Sequence, residues 1–160
     1  MLGAEKSLEG RDRWRVVYRL STDLHRDPRR IELTQQRTLD PAHPTSGLKG
    51  SQGLYGSEQW WQSINSGRIP LVLKTGTISR LYYGGMDSHR KNNSCEVAGD
   101  DGRTFHGSVL VDRPAHHSRY KVGARVAYLF AMDEWKAASL LGPEPENSGQ
   151  LIEVALAKRR

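Results

Sequence analysis

A single cysteine, Cys95, in 160 residues excludes an intramolecular disulfide. Also missing are a Gly-x-Ser-x-Gly elbow, a His-Glu-x-x-His pair, a Cys-x-x-Cys pair and a dinucleotide fingerprint, so no familiar catalytic or nucleotide-binding pattern is announced. No stretch approaches the roughly 20 consecutive apolar residues needed to span a bilayer. The N-terminal MLGAEKSLEGRDR has no apolar run of the kind a signal peptide requires. Apolar residues are scarce at 36%, whereas glycine is plentiful at 16 of 160, so part of the chain is expected to be loop. These absences favour a cytoplasmic, non-enzymatic protein with no cofactor and no membrane partner.

The formal charge is +6. Its distribution is even: ten Lys/Arg face seven Asp/Glu in residues 1–50, five face four in 51–100, and nine face seven in 101–160. Such a surplus permits an anionic partner without requiring one.

The residues that are present read mainly as short strands. Arg13 to Leu20 alternates, with Trp14, Val16, Tyr18 and Leu20 on one face and Arg13, Arg15, Val17 and Arg19 on the other. A polar turn is expected over 21–28, because the residue before Pro28 is disfavoured in helix. Arg30 to Leu33 then alternates again and reads as the second strand of a hairpin, while 34–39 fits strand or helix. The segment 41–56, with glycines at 47, 50, 53 and 56, reads as a linker or mobile loop. Ser57 to Gly67 reads as a helix, with Ser57 as N-cap, Glu58 in the first turn and Gly67 as its exit. Trp60 and Ile64 share a face of it, and Trp61 sits about 100° away, partly exposed.

Residues 71–83 read as a long strand, with Gly76 marking a bulge or sharp coil. Asp100-Asp101-Gly102 signals a hairpin between 95–98 and 103–111, and residues 120–131 supply another strand. A helix is expected over 134–141, capped by Asp133. Residues 151–157 fit strand or helix, with strand favoured by the alternation of Ile152, Val154 and Leu156.

This order, a strand containing Gly-Thr-Ile, a strand, an Asp-Gly turn, a strand and a Tyr-Lys-Val-Gly strand, resembles small Greek-key barrels of the OB, S1 or cold-shock type across residues 71–131. The fold class expected is therefore mainly β with two short helices, a small OB-like or SH3-like barrel with an N-terminal β-hairpin. Residues 1–56 would form the hairpin and the Gly/Pro-rich loop, packed on or tethered to a helix-plus-barrel domain over 57–160 with a C-terminal helix and strand. The resemblance implies nucleic-acid binding, yet few surface aromatics are available for stacking bases.

Candidate nucleic-acid contacts are Arg13, Arg15, Arg19, Arg80, Arg90 and Lys91, with Tyr82 and Phe105 as stacking platforms. Trp60 and Trp61 are the candidates for a protein contact. His106, Asp112, His116 and His117 have metal-donor chemistry, but two adjacent histidines seldom converge on one ion, so no metal is expected. Cys95, inside a strand, reads as a small apolar side chain rather than a nucleophile. The leading expectation is a non-enzymatic module that binds single-stranded nucleic acid or another anionic surface. The alternative is a protein-interaction module, an inhibitor or immunity-type accessory protein of bacterial type, and a metal-dependent enzyme ranks third.

Overall fold

The computed structural model describes residues 1–11, 13–85, 91–137 and 149–158. Its elements run β1 (Trp14–Arg19), α1 (Leu20–Arg26), α2 (Arg29–Leu39), α3 (Glu58–Asn65), β2 (Leu71–Tyr82), β3 (Ser94–Gly99), β4 (Thr104–Ser108), a 3-10 turn (Pro114–Arg119), β5 (Arg125–Ala131) and β6 (Gln150–Ala157). Among the described residues, the six strands join one sheet in the order β1-β6-β5-β2-β3-β4. The fold is mainly β, as the alternating segments predict. The chain divides into two compact units, each assembled from separated segments. A helical unit comprises Met1–Lys6, Leu20–Val72 and Phe130–Leu151, and a sheet unit comprises Ser7–Arg19, Leu73–Leu129 and Ile152–Arg160.

In the sheet unit, β1 pairs antiparallel with β6 rather than with a neighbour in sequence. The register shifts between Val16 and Tyr18, so that Arg15 lies opposite Leu156 but Arg19 lies opposite Glu153. One extra residue in a strand reverses the side-chain phase beyond it. Arg15 and Arg19 therefore occupy opposite faces, in place of the single cationic face predicted from alternation. Val17, expected outward, is buried. β6 is buried from Ile152 to Leu156 without alternation, the pattern of a strand covered on both sides.

β2 and β3 pair with a second register shift, between Ile78 and Arg80. β3 and β4 pair without one, joined by the predicted Asp-Gly turn, where Gly102 N–H donates to the Gly99 carbonyl at 3.0 Å. The sheet is strongly curled. The Tyr128 hydroxyl of β5 lies 3.0 Å from the Ser108 carbonyl of β4 and 3.1 Å from Cys95 Sγ of β3. In a flat sheet β5 and β4 would stand three spacings apart, about 14 Å, which is farther than a tyrosine side chain extends. The ring reaches β4 because Gly107 leaves it room: a Cβ there would overlap the Tyr128 ring. Ile78, Cys95, Val97 and Val126 are fully enclosed. Each aliphatic side chain among them contributes roughly 1.5–3 kcal/mol of burial.

In the helical unit, the expected hairpin over 30–33 is instead part of α2, and the expected turn over 21–28 contains α1. Leu20 and Leu24, four residues apart, are the buried positions of α1, which ends before Asp27-Pro28. Pro28 then starts the next helix with φ −64°, where its fixed torsion is favourable and its missing N–H is not needed. The last turn of α2 is closed by Lys136, whose Nζ donates to the carbonyls of Arg37 (2.8 Å), His43 (3.2 Å) and Asp40 (3.4 Å). A cation at these carbonyls also opposes the helix dipole.

α3 forms as predicted. Ser57 Oγ accepts from Trp60 N–H at 3.2 Å, and Gly67, with φ +84°, follows the C-cap. Asp133 does not cap a helix. Its Oδ2 accepts from the Trp60 indole N–H at 2.8 Å and its Oδ1 from the Glu134 N–H at 2.9 Å. Trp135 forms a bridge with Leu48 instead of a helical turn, and residues 138–141 lie outside the described residues. Among the described residues, no helix is long and apolar enough to cross a membrane.

Candidate protein-interaction site

The segment 41–56 is packed against its surroundings in the helical unit. Lys49 N–H donates to the Glu134 carbonyl at 2.8 Å, and Lys136 N–H to the Gly47 carbonyl at 3.0 Å, on either side of the Leu48–Trp135 bridge. Gly47 and Gly53 have φ of +92° and +107°, a region costly for any residue with a side chain. A Cβ at Gly53 would stand 2.7 Å from Trp60 N, and one at Gly47 would stand 2.7 Å from Arg37 Cγ. The glycines thus let this loop close onto α2 and α3.

Between that loop and α2 lies an open groove of about 330 Å³. Arg30, Leu33, Thr34 and Arg37 line one wall, at the spacing of a single helix face. Leu48 and Tyr55, both buried, line it from the loop, and Trp135 contributes an aromatic edge. Leu33 is 54% exposed, an apolar side chain held at the wall without cover. Arg30 is fixed by Asp23 at 2.7 Å, and Gln35 anchors the loop by donating to the Tyr55 carbonyl at 2.9 Å. Burial raises the Tyr55 hydroxyl above the ordinary tyrosine range, so it is neutral at physiological pH. An apolar floor with a cationic rim on a rigid scaffold suits contact with another protein.

The residues singled out from sequence are dispersed. Trp60 is fully buried and Trp61 is 8% exposed, stacked edge-on against it, so neither offers a surface. Arg13 and Arg15 are exposed, whereas Arg19 faces Glu9 at 2.7 Å, Asp112 at 3.8 Å and Glu153 at 4.0 Å. Arg80 lies over the Tyr82 ring, 4.7 Å from its centroid, and 3.6 Å from Glu96. Tyr82 bonds through its hydroxyl to His106 Nδ1 at 2.9 Å. Phe105 packs edge-on to Tyr128, with Lys74 Nζ 5.8 Å from its centroid. Lys91 is exposed, and Arg90 lies outside the described residues. The expected cationic and aromatic set is thus split among ion pairs, ring contacts and opposite strand faces, and the stacking platforms are already occupied by protein groups.

The metal candidates fare likewise. His106 is held by Tyr82, Asp112 accepts from the Arg19 N–H at 3.1 Å, and His117 Nε2 contacts the Asn92 carbonyl at 3.1 Å. His116 Nδ1 is buried without a partner among the described residues. Among the described residues, no group of three His, Cys, Asp or Glu side chains could hold a metal ion. Burial raises the Cys95 thiol above its ordinary value, which keeps it protonated and apolar, as expected of a packed cysteine.

The groove does not stand out in sequence, since its wall reads as strand over 30–33 and as strand or helix over 34–39, and its floor as linker. The i, i+3, i+4, i+7 series Arg30, Leu33, Thr34 and Arg37 is the signal that points to it. A comparison with curated proteins yields no match. The sequence pattern of the family described as Immunity protein RhsI2 matches residues 14–157, nearly the whole chain. That span takes in every strand and helix described above and both walls of the groove. The match sides with the inhibitor or immunity-type alternative over nucleic-acid binding: this chain belongs to the RhsI2 immunity protein family.

Proposed function

We propose that this protein neutralises its cognate toxin by binding it directly, without chemistry of its own, and that the groove beside α2 forms part of the contact surface. The family match over residues 14–157 carries this reading. The groove supports it, because Leu33 is an uncovered apolar side chain on a well-anchored helix, flanked by Arg37 at the same face. Anchored side chains lose little freedom on association, which favours affinity.

Leu33→Asp is expected to weaken the toxin complex by at least about 2 kcal/mol, roughly thirtyfold, while leaving the melting temperature near that of the native chain, since Leu33 is exposed. Isothermal titration with the purified toxin domain measures this directly. A complex of unchanged affinity would remove the groove from the contact. No complex at all between toxin and native chain would remove the neutralisation reading itself.

A further inference from the structure

We propose that a recess in the sheet unit, at the start of β5, receives a carboxylate-bearing peptide segment of the toxin. This rests on the neutralisation reading above and adds the chemistry of a second contact. The recess, about 360 Å³, is lined by Arg119, Lys121, Val122, Arg125 and Lys158 together with small and aliphatic neighbours on the same two segments. Four cations therefore share a small concavity. Arg125 is already neutralised by Asp100, whose two carboxylate oxygens each take a guanidinium nitrogen at 2.5 Å. Arg119, Lys121 and Lys158 have no ion-pair partner among the described residues.

The scaffold beneath these charges is fixed. The turn that carries Lys121 and Val122 is closed by Ala124 N–H donating to the Lys121 carbonyl at 3.0 Å. It is tied to β2 on both sides of Ile78, with Gly123 N–H donating to the Ile78 carbonyl at 2.8 Å and Ile78 N–H to the Ala124 carbonyl at 2.9 Å. Lys158 is held by its own N–H, which donates to the Arg13 carbonyl at 2.9 Å. The backbone thus presents three uncompensated cations in one place, where mutual repulsion disfavours them until an anion arrives.

Two anions fit such a charge pattern, a nucleic-acid backbone and an acidic peptide. A single-strand site pairs cations with aromatic side chains on which bases stack, and no aromatic side chain lines this recess. What stands beside the cations is Val122, 65% exposed, an apolar contact suited to a protein partner. The occupant is therefore a peptide segment carrying two or more carboxylates.

A fluorescein-labelled hexaglutamate peptide and the toxin domain are the probes. The native chain is expected to bind the peptide with an affinity that falls with salt. Charge reversal in Lys121→Glu/Lys158→Glu should weaken both the peptide and the toxin complex at least about tenfold, and mainly slow association. The Lys121→Arg/Lys158→Arg variant should retain both, and melting curves confirm that all three chains fold. Equal peptide binding by the native and charge-reversed chains overturns the proposal. So does tighter binding of an oligothymidylate that is lost in the same variant, which assigns the recess to nucleic acid. A toxin complex undiminished by charge reversal places the recess outside the contact and leaves the neutralisation reading standing. A native chain that binds no toxin removes both.

Discussion

Trp60→Phe is expected to destabilise the protein by about 2–3 kcal/mol at neutral pH, with a deficit that shrinks on acidification. Phenylalanine keeps most of the buried ring but deletes the indole N–H that donates to Asp133 at 2.8 Å. The carboxylate is then left buried with one donor, Glu134 N–H, and an under-satisfied buried charge costs this much. Burial already raises the Asp133 pKa above the ordinary carboxylate value, and the Trp60 bond and the Glu134 bond offset that rise. Removing the Trp60 bond lets it climb further. For a carboxyl whose folded pKa exceeds its unfolded value, near 4, the folded state binds more protons between the two. Stability therefore falls as pH increases through that window, more steeply in the variant than in the native chain, and the two converge towards the acid side. Thermal melts across pH should show a difference of about 5–10 °C at neutrality for a chain of this size. Trp60→Ala, which also leaves a cavity, should cost about 4–5 kcal/mol. A pH-independent Trp60→Phe deficit would show that Asp133 does not carry the effect.

Gly107→Val is expected to cost about 3 kcal/mol or more, because a side chain at this position of β4 overlaps the Tyr128 ring. Relief requires Tyr128 to move, which breaks its contacts with Cys95 Sγ and the Ser108 carbonyl. Burial holds the Tyr128 hydroxyl far above its ordinary pKa, so it stays a neutral donor and cannot be rescued by ionisation. Urea unfolding gives the size of the loss, and a double-mutant cycle gives its cause. In a Tyr128→Leu background the Gly107→Ala penalty should largely disappear. Equal penalties in the two backgrounds would falsify the claim that overlap with the Tyr128 ring is what excludes a side chain at position 107.

The contrast between these two sites shows how far the sequence can be read. α3 is legible because its cap, first-turn acid and terminal glycine are local, and the Asp100-Gly102 turn is legible for the same reason. α2 is not. A four-residue alternation at Arg30 to Leu33 competes with the longer helical series, and Pro28 reads as a helix breaker although it tolerates the first turn. Beyond Val16 the phase of β1 is lost, because a bulge adds one residue that simple alternation does not count. The adjacent valines, Val16 and Val17, are the hint. Asp133 has the spacing of a helix cap, and only the tertiary fold turns it towards Trp60, 73 positions away. The groove and the cationic recess each gather residues from distant segments, so composition along the chain cannot reveal either. The family, too, emerges from similarity across residues 14–157 rather than from any short motif.

The glycine-anchored loop has an evolutionary consequence. Surface loops ordinarily drift fastest, but this one depends on backbone torsions that other amino acids adopt only at a cost, so substitutions at Gly47 or Gly53 are expected to be rare among relatives. On the proposal that the groove meets the toxin, a lineage under pressure to change its specificity would vary the neighbouring helix instead. Diversification should therefore concentrate at Leu33, Thr34 and Arg37, with the loop inherited nearly intact as the frame on which new specificities are tried.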